Sequence, residues 1–144
     1  MTAVSNPPSL WLDVQNAVKN ALETISNPRL KNVVLGMPVV LLDSAAHFPY
    51  LNLVWTTEAN AAQPGSWVDT SRNFVLMINC FENDVPLAEQ ILAAVKAKLA
   101  DNLTLGETVI SCVVGDAISD DQAWPHTCFQ VALAIKFEHA FGLG

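Results

Sequence analysis

Three observations predict an α+β domain with a mainly antiparallel sheet of about five strands and two amphipathic helices on one face. Apolar residues recur every three or four positions in two separate stretches, 10–25 and 86–99. They alternate at period two in several others, most clearly 73–80 and 127–138. The patterns arrive in the order α-β-β-β-α-β-β, in which two helices can cover one face of an antiparallel sheet. At 144 residues the chain is long enough for a proper core, and no repeat or composition boundary divides it. Residues 1–144 therefore read as a single domain.

A short polar arm, 1–9 with Pro7 and Pro8, precedes the first helix. There Trp11, Val14, Val18, Ala21, Leu22 and Ile25 share one face, with Asp13, Lys19, Asn20 and Glu23 among the other positions. Ser26-Asn27-Pro28 stops the helix, since the residue before a proline is pushed out of helical geometry. The run 33–42 is interrupted by Gly36-Met37-Pro38 and reads as an edge strand with a bulge, or as two short pieces around a bend. In 48–57, Leu51, Leu53 and Trp55 share one side of a strand, and Asn52, Val54 and Thr56 the other. Residues 57–71 show no periodic pattern and read as a long loop, of a length that in a compact domain marks a functional or mobile segment. The strands on either side of it are expected to pair antiparallel.

Residues 72–102 join the clearest strand to the clearest helix. Phe74, Leu76, Ile78 and Cys80 form a wholly apolar side. After Phe81 the period becomes helical. Pro86 suits a first turn, Asp84 and Glu89 place negative charge near the positive end of the helix dipole, and Leu87, Ile91, Val95 and Leu99 fall on one side, widened by Ala88 and Leu92. A fourth strand is expected over 108–114 and an acidic loop over 115–126. In the last strand, 127–138, Phe129, Val131, Leu133, Ile135 and Phe137 face one way. Residues 139–144 read as a short tail.

Hydrophobic residues make up 51% of the chain and charged ones only 15%, where about a quarter is usual, so part of the apolar surface is expected to face other subunits. Seven basic and fourteen acidic residues, net charge −7, argue against a phosphate-neutralising surface, which needs clustered Lys and Arg. Such a balance suits solubility, or a surface that nucleic acid slides past without sticking. Cys80, Cys112 and Cys128 are odd in number, lie in strands and read as small core residues in a reducing compartment. The start MTAVSNPPS lacks the basic and apolar parts of a signal peptide, no run is long enough for a membrane helix, and synthesis and use in the cytosol are expected.

Catalytic signatures are missing from the pattern. His126 and Cys128 form an H-x-C without the four ligands and spacings of a structural zinc site, so a loop histidine beside a core thiol is the expectation. Asp120-Asp121 has no recognisable base or nucleophile to work with and reads as a solvated acidic loop. No phosphate loop, nucleophile elbow or dinucleotide fingerprint occurs. The expectation is a non-enzyme with no cofactor and no metal. Trp67 and Trp124 sit in or near polar loops, either as interface anchors or folded back as lids over the sheet edge. Tyr50 reads as packing at a strand start.

The helix over 10–25, the strand start Pro49-Tyr50-Leu51-Asn52-Leu53, the strand Asn73-Phe74-Val75-Leu76 after a long loop, the helix over 86–99 and the closing strand 129–137 together carry a resemblance. In this order of elements the chain resembles the tail terminator (tail completion) proteins of tailed bacteriophages. The likeness is architectural and brings no catalytic or binding residue with it. It implies a structural virion protein, assembled in the host cytoplasm, whose homo-hexameric ring caps the head-proximal end of the tail tube. That ring would end tube polymerisation, dock the neck or connector protein and let DNA through its channel without specific binding or membrane contact. Glu58, Asp69, Asp116, Asp120 and Asp121 are then candidates for channel or ring faces, and Trp67 and Trp124 for interfaces. Two alternatives stay open: a head–tail connector or neck subunit, and a small cytosolic α+β enzyme or ligand-binding domain.

Overall fold

Both helical periods become helices on the same side of one sheet. The structure is a computed structural model and describes residues 7–36, 45–62, 67–100, 111–120 and 126–140. Helix α1 spans Pro7–Glu23 and helix α2 spans Val85–Ala100. α1 starts inside the expected polar arm, because prolines cost little in a first turn whose N–H groups have no intrahelical acceptor. It buries Trp11, Val14, Val18 and Leu22. Its chain end is held by Thr24 Oγ1–H, which donates to the Ala21 carbonyl at 2.6 Å. α2 opens on Asp84, whose Oδ1 accepts the Leu87 N–H at 3.3 Å, an N-cap that satisfies one of the free donors of the first turn. Ala88, Ile91, Val95 and Leu99 are fully buried, as their spacing requires.

Among the described residues the strands are β1 Asn32–Leu35, β2 Tyr50–Ala62, β3 Trp67–Cys80, β4 Ser111–Asp120 and β5 Thr127–Ala140, with a 3₁₀ turn at Ala45–His47 before β2. They form a sheet in the order β1-β2-β3-β5-β4. β1 pairs parallel with β2, and the other pairings are antiparallel. Side-by-side register produces helix-facing rows: Val33, Leu51, Ile78 and Phe129, then Leu35, Leu53, Leu76 and Val131, then Phe74 and Leu133. These rows and the buried helix stripes make one continuous core.

The order of elements is the predicted one, but several boundaries differ. Residues 57–71 are not a long loop. β2 continues to Ala62 and β3 begins at Trp67, with Ala62 paired to Val68, so only residues 63–66, outside the described residues, connect them. In these stretches polar residues fall in both sets of alternate positions, so no period of two is written into the sequence. The expected acidic loop over 115–126 is corrected likewise. Residues 115–120 belong to β4, and a bulge between Val114 and Ala117 sets Gly115 and Asp116 against Ala132. The extra residue reverses the alternation beyond it, which disguised the strand.

The edge strand expected over 33–42 is described only as β1, after which Gly36 takes φ 79, where glycine incurs no steric penalty. Residues 37–44 and 108–110 lie outside the described residues. The expected tail begins later, because His139 and Ala140 are the last residues of β5 and pair with Val68 and Trp67.

Candidate assembly surfaces

Where α1 meets the long strands, the core is closed by a cation between two aromatic rings. Arg72 holds the β3 position two before Phe74 and so points to the helix side. Its guanidinium lies 4.4 Å from the centroid of Trp11, on α1, and 4.4 Å from that of Trp55, on β2. Nε donates to Glu58 Oε1 at 2.7 Å. Trp11 in turn meets Phe74 with ring centroids 6.0 Å apart. The stack thus runs from the core out to Trp55, which is 48% exposed. A bulge between Trp55 and Thr57 makes room for it. Thr56 Oγ1–H donates to the Asn73 carbonyl at 3.0 Å and Asn73 Nδ2–H to Thr57 Oγ1 at 2.8 Å, two bonds that hold the irregular backbone. Sequence reasoning missed this cluster. Its signal was available in an arginine continuing the apolar register of Phe74, Leu76 and Ile78.

Beyond this rim, β2, β3 and β5 extend together as a three-stranded arm, with Asp69 between Ala61 and Glu138 and Trp67 beside Ala140 in the register. The arm takes up both candidate residues Trp67 and Asp69 as strand positions. Glu58 stands at its base, its carboxylate engaged by Arg72.

The second surface is the far edge of the sheet. β4 is outermost there and exposes Val113 at 52% and Ile118 at 61%. Asp116 lies exposed in the β4 bulge. Asp120 ends the strand, and its Oδ2 accepts Gln130 Nε2–H at 2.9 Å. Asp121 and Trp124 lie outside the described residues. The structure therefore brings Asp116 and Asp120 together on β4 and separates them from Glu58, Trp67 and Asp69.

At the end of the sheet where β3 leaves and β5 enters, Phe48, Phe81 and His126 stack with centroids 4.8–5.6 Å apart. Tyr50 adds its ring 5.2 Å from Phe48 at the start of β2. His126 Nδ1 accepts the Glu82 N–H at 2.9 Å, which places the ring proton on Nε2. Thr127 Oγ1–H donates to the Glu82 carbonyl at 2.8 Å. These bonds pin Glu82 in its left-handed conformation, φ 50. On the sheet face away from the helices, Asn52 is buried, with its Oδ1 accepting Asn79 Nδ2–H at 2.9 Å.

None of these groups is arranged as a reacting centre. The three thiols are buried and unpaired as disulfides. Burial pushes Cys80 up to about 12, with Asp84 and Cys128 adding to it. It pushes Cys112 up to about 11, and Cys128 to about 11 with a contribution from Asp120. They are protonated at neutral pH, the form that neither attacks nor ligates. No group of three His, Cys, Asp or Glu capable of holding a metal exists among the described residues. Among those residues no helix is long and apolar enough to cross a membrane.

The raised thiols fix a pH dependence. An exposed thiol titrates near 9.0, so above that pH the unfolded chain releases protons that the folded one keeps. Their contribution to stability is full below about pH 9 and is lost as the pH rises toward 11–12, by at most about 1.4 kcal/mol per pH unit for each thiol. Urea melts at about pH 8 and about pH 10 measure it. A variant with alanine at all three positions is expected to flatten the dependence, and an unchanged slope refutes this origin.

No protein-family model matches the sequence, and no curated protein matches it. Solved structures do match. One, a chain in the virion of a native gene transfer agent particle, superposes with a TM-score of 0.63 over 88% of this chain and 95% of that one, at 15% identity. The two share a fold along almost their whole lengths.

Proposed function

We propose that the chain is a structural virion protein, the subunit of a hexameric ring that caps a phage tail tube, ends its polymerisation and joins it to the head-proximal neck. The observation that carries this reading is the fold shared, nearly end to end, with a chain of a virion particle. Three features of the molecule support it. The β4 edge shows large apolar side chains to solvent, as a surface made for a neighbour does. β2, β3 and β5 stay paired out to Ala62, Trp67 and Ala140, long strands that a ring can use to meet a neighbour. An acidic surface lets DNA pass through a channel by repelling phosphates within the roughly 8–10 Å over which screening leaves the interaction effective.

Mass measurement in solution, with and without the tail tube protein of the same phage, tests the ring. A hexamer with tube protein present is the expected result; a monomer in both conditions rejects it. Binding to the portal side with no affinity for tube ends assigns the chain to the connector instead.

A further inference from the structure

One register row joins an exposed ring at one edge of the sheet to a groove at the other. Trp55 pairs with Phe74, Phe74 with Leu133 and Leu133 with Val114, so the four lie level and on the helix side. β1 ends at Leu35, opposite Leu53. Among the described residues β2 is therefore the outermost strand at the height of Trp55, whose ring is half exposed. At the far end of the row, Lys96 and Ala100 of α2 and Val113, Val114 and Gly115 of β4 line an open groove of about 440 Å³. Its lining is apolar except for Lys96, and a cation is what the face of an indole attracts.

The same two edges match again lower down. Val85, Glu89, Leu92, Lys96 and Ala100 follow at spacings of four, three, four and four, so they share one flank of α2, the flank that borders β4 at the groove. Glu89 is exposed and lies seven residues before Lys96, roughly 10 Å down the helix. On the opposite edge, Val33 lies in the helix-facing row of Leu51, Ile78, Phe129 and Ser119, four β3 residues or roughly 14 Å below the row of Trp55. Val33 lines an open concavity of about 600 Å³ together with the exposed Arg29 and Lys31. Glu23 also lines it, leaving the cations in excess. An acidic position on one edge thus stands close to the height of a basic concavity on the other, again on the helix side.

Resting on the ring reading, the geometry points to a head-to-tail contact between copies of this chain, in which Trp55 of one copy enters the α2–β4 groove of the next, and Glu89 of that next copy faces Arg29 and Lys31 of the first. A second copy alongside in the same orientation keeps both pairs level and on the same side of the sheet. Groove edge against groove edge leaves both grooves unfilled, and concavity against concavity sets cation against cation, which is disfavoured. The contact uses two different patches of each subunit, and when the rotation between copies closes, it produces a ring. Trp55 is its anchor, and the charges fix its register.

Cross-linking tests it. Chains carrying Lys31→Cys and chains carrying Glu89→Cys are assembled with tube protein, singly and mixed, and treated with a short bismaleimide; the native thiols are buried and do not compete. Linked dimers are expected in the mixture and in neither variant alone. Ala100→Trp fills the groove and leaves Trp55 and Arg72 in place. It is expected to raise the concentration needed for assembly about tenfold or more, with the urea melt of the chain unchanged. Glu89→Lys is expected to weaken assembly, and adding Arg29→Glu with Lys31→Glu to restore it. Rings that form without cross-links in the mixture, Ala100→Trp chains that assemble as readily as the unaltered chain, or absence of the charge-swap rescue each overturn the contact and leave the ring reading standing. Failure of the unaltered chain to form rings with tube protein overturns both.

Discussion

Phe74→Ala is expected to destabilise the fold by about 3–5 kcal/mol, the cost of emptying a large buried aromatic site. Phe74 is 1% exposed, sits in the central strand and packs against Trp11 of α1. Removing it takes away the surface on which the start of α1 rests, and the helix cannot sink into the gap without losing its own contacts to β1. Against a total of about 5–15 kcal/mol for a domain, the loss leaves little reserve. Val113→Ala, at a site 52% exposed on the other face, is expected to change stability by less than about 0.5 kcal/mol. Urea unfolding of both variants measures the contrast. A Phe74→Ala cost below about 1 kcal/mol is incompatible with the position described for its ring.

Arg72→Ala is expected to cost about 2–3 kcal/mol. Two ring faces at 4.4 Å contribute about 0.5–2 kcal/mol each, at the lower end for Trp55 because that ring is half exposed. The Glu58 bond adds under about 1 kcal/mol, since its carboxylate is partly in water. Lysine at this position keeps the charge and loses the planar group that fills the gap between the rings, so Arg72→Lys is expected to retain most of the loss. A double-mutant cycle with Trp55→Ala isolates the outer stack. A coupling indistinguishable from zero contradicts the sandwich as a source of stability.

The parts of the fold legible in the sequence are those where a period is enforced by burial on one side. Ile91, Val95 and Leu99 on α2, and Phe74, Leu76, Ile78 and Cys80 on β3, fall where their spacing puts them because each faces the same core. Legibility fails where that enforcement ends. Residues 57–62 and 67–71 form strands without an alternating code, with polar residues in both sets of alternate positions. The end of β4 is hidden by a bulge that shifts the pattern by one residue. Strand direction is not carried by a period of two at all, so the parallel pairing of β1 with β2 had no local signal.

The candidate residues divide along the same line. Residues flagged for negative charge alone, such as Glu58, turn out to have a specific structural partner. Asp120 accepts a hydrogen bond from Gln130 and lies in the register row that starts at Asn32, a relation between residues far apart in the chain. Trp11, Trp55 and Arg72 form a cluster that joins helix and strands from three places in the sequence. Such relations follow from register and topology, which emerge only when the sheet is assembled.

Electron microscopy of tail tubes grown from purified tube protein, with this chain labelled and added during growth, tests the central claim most directly. The account predicts that elongation stops, with the label in a ring at one end of each tube. Tubes that continue to lengthen at the same rate, with no label at either end, contradict it.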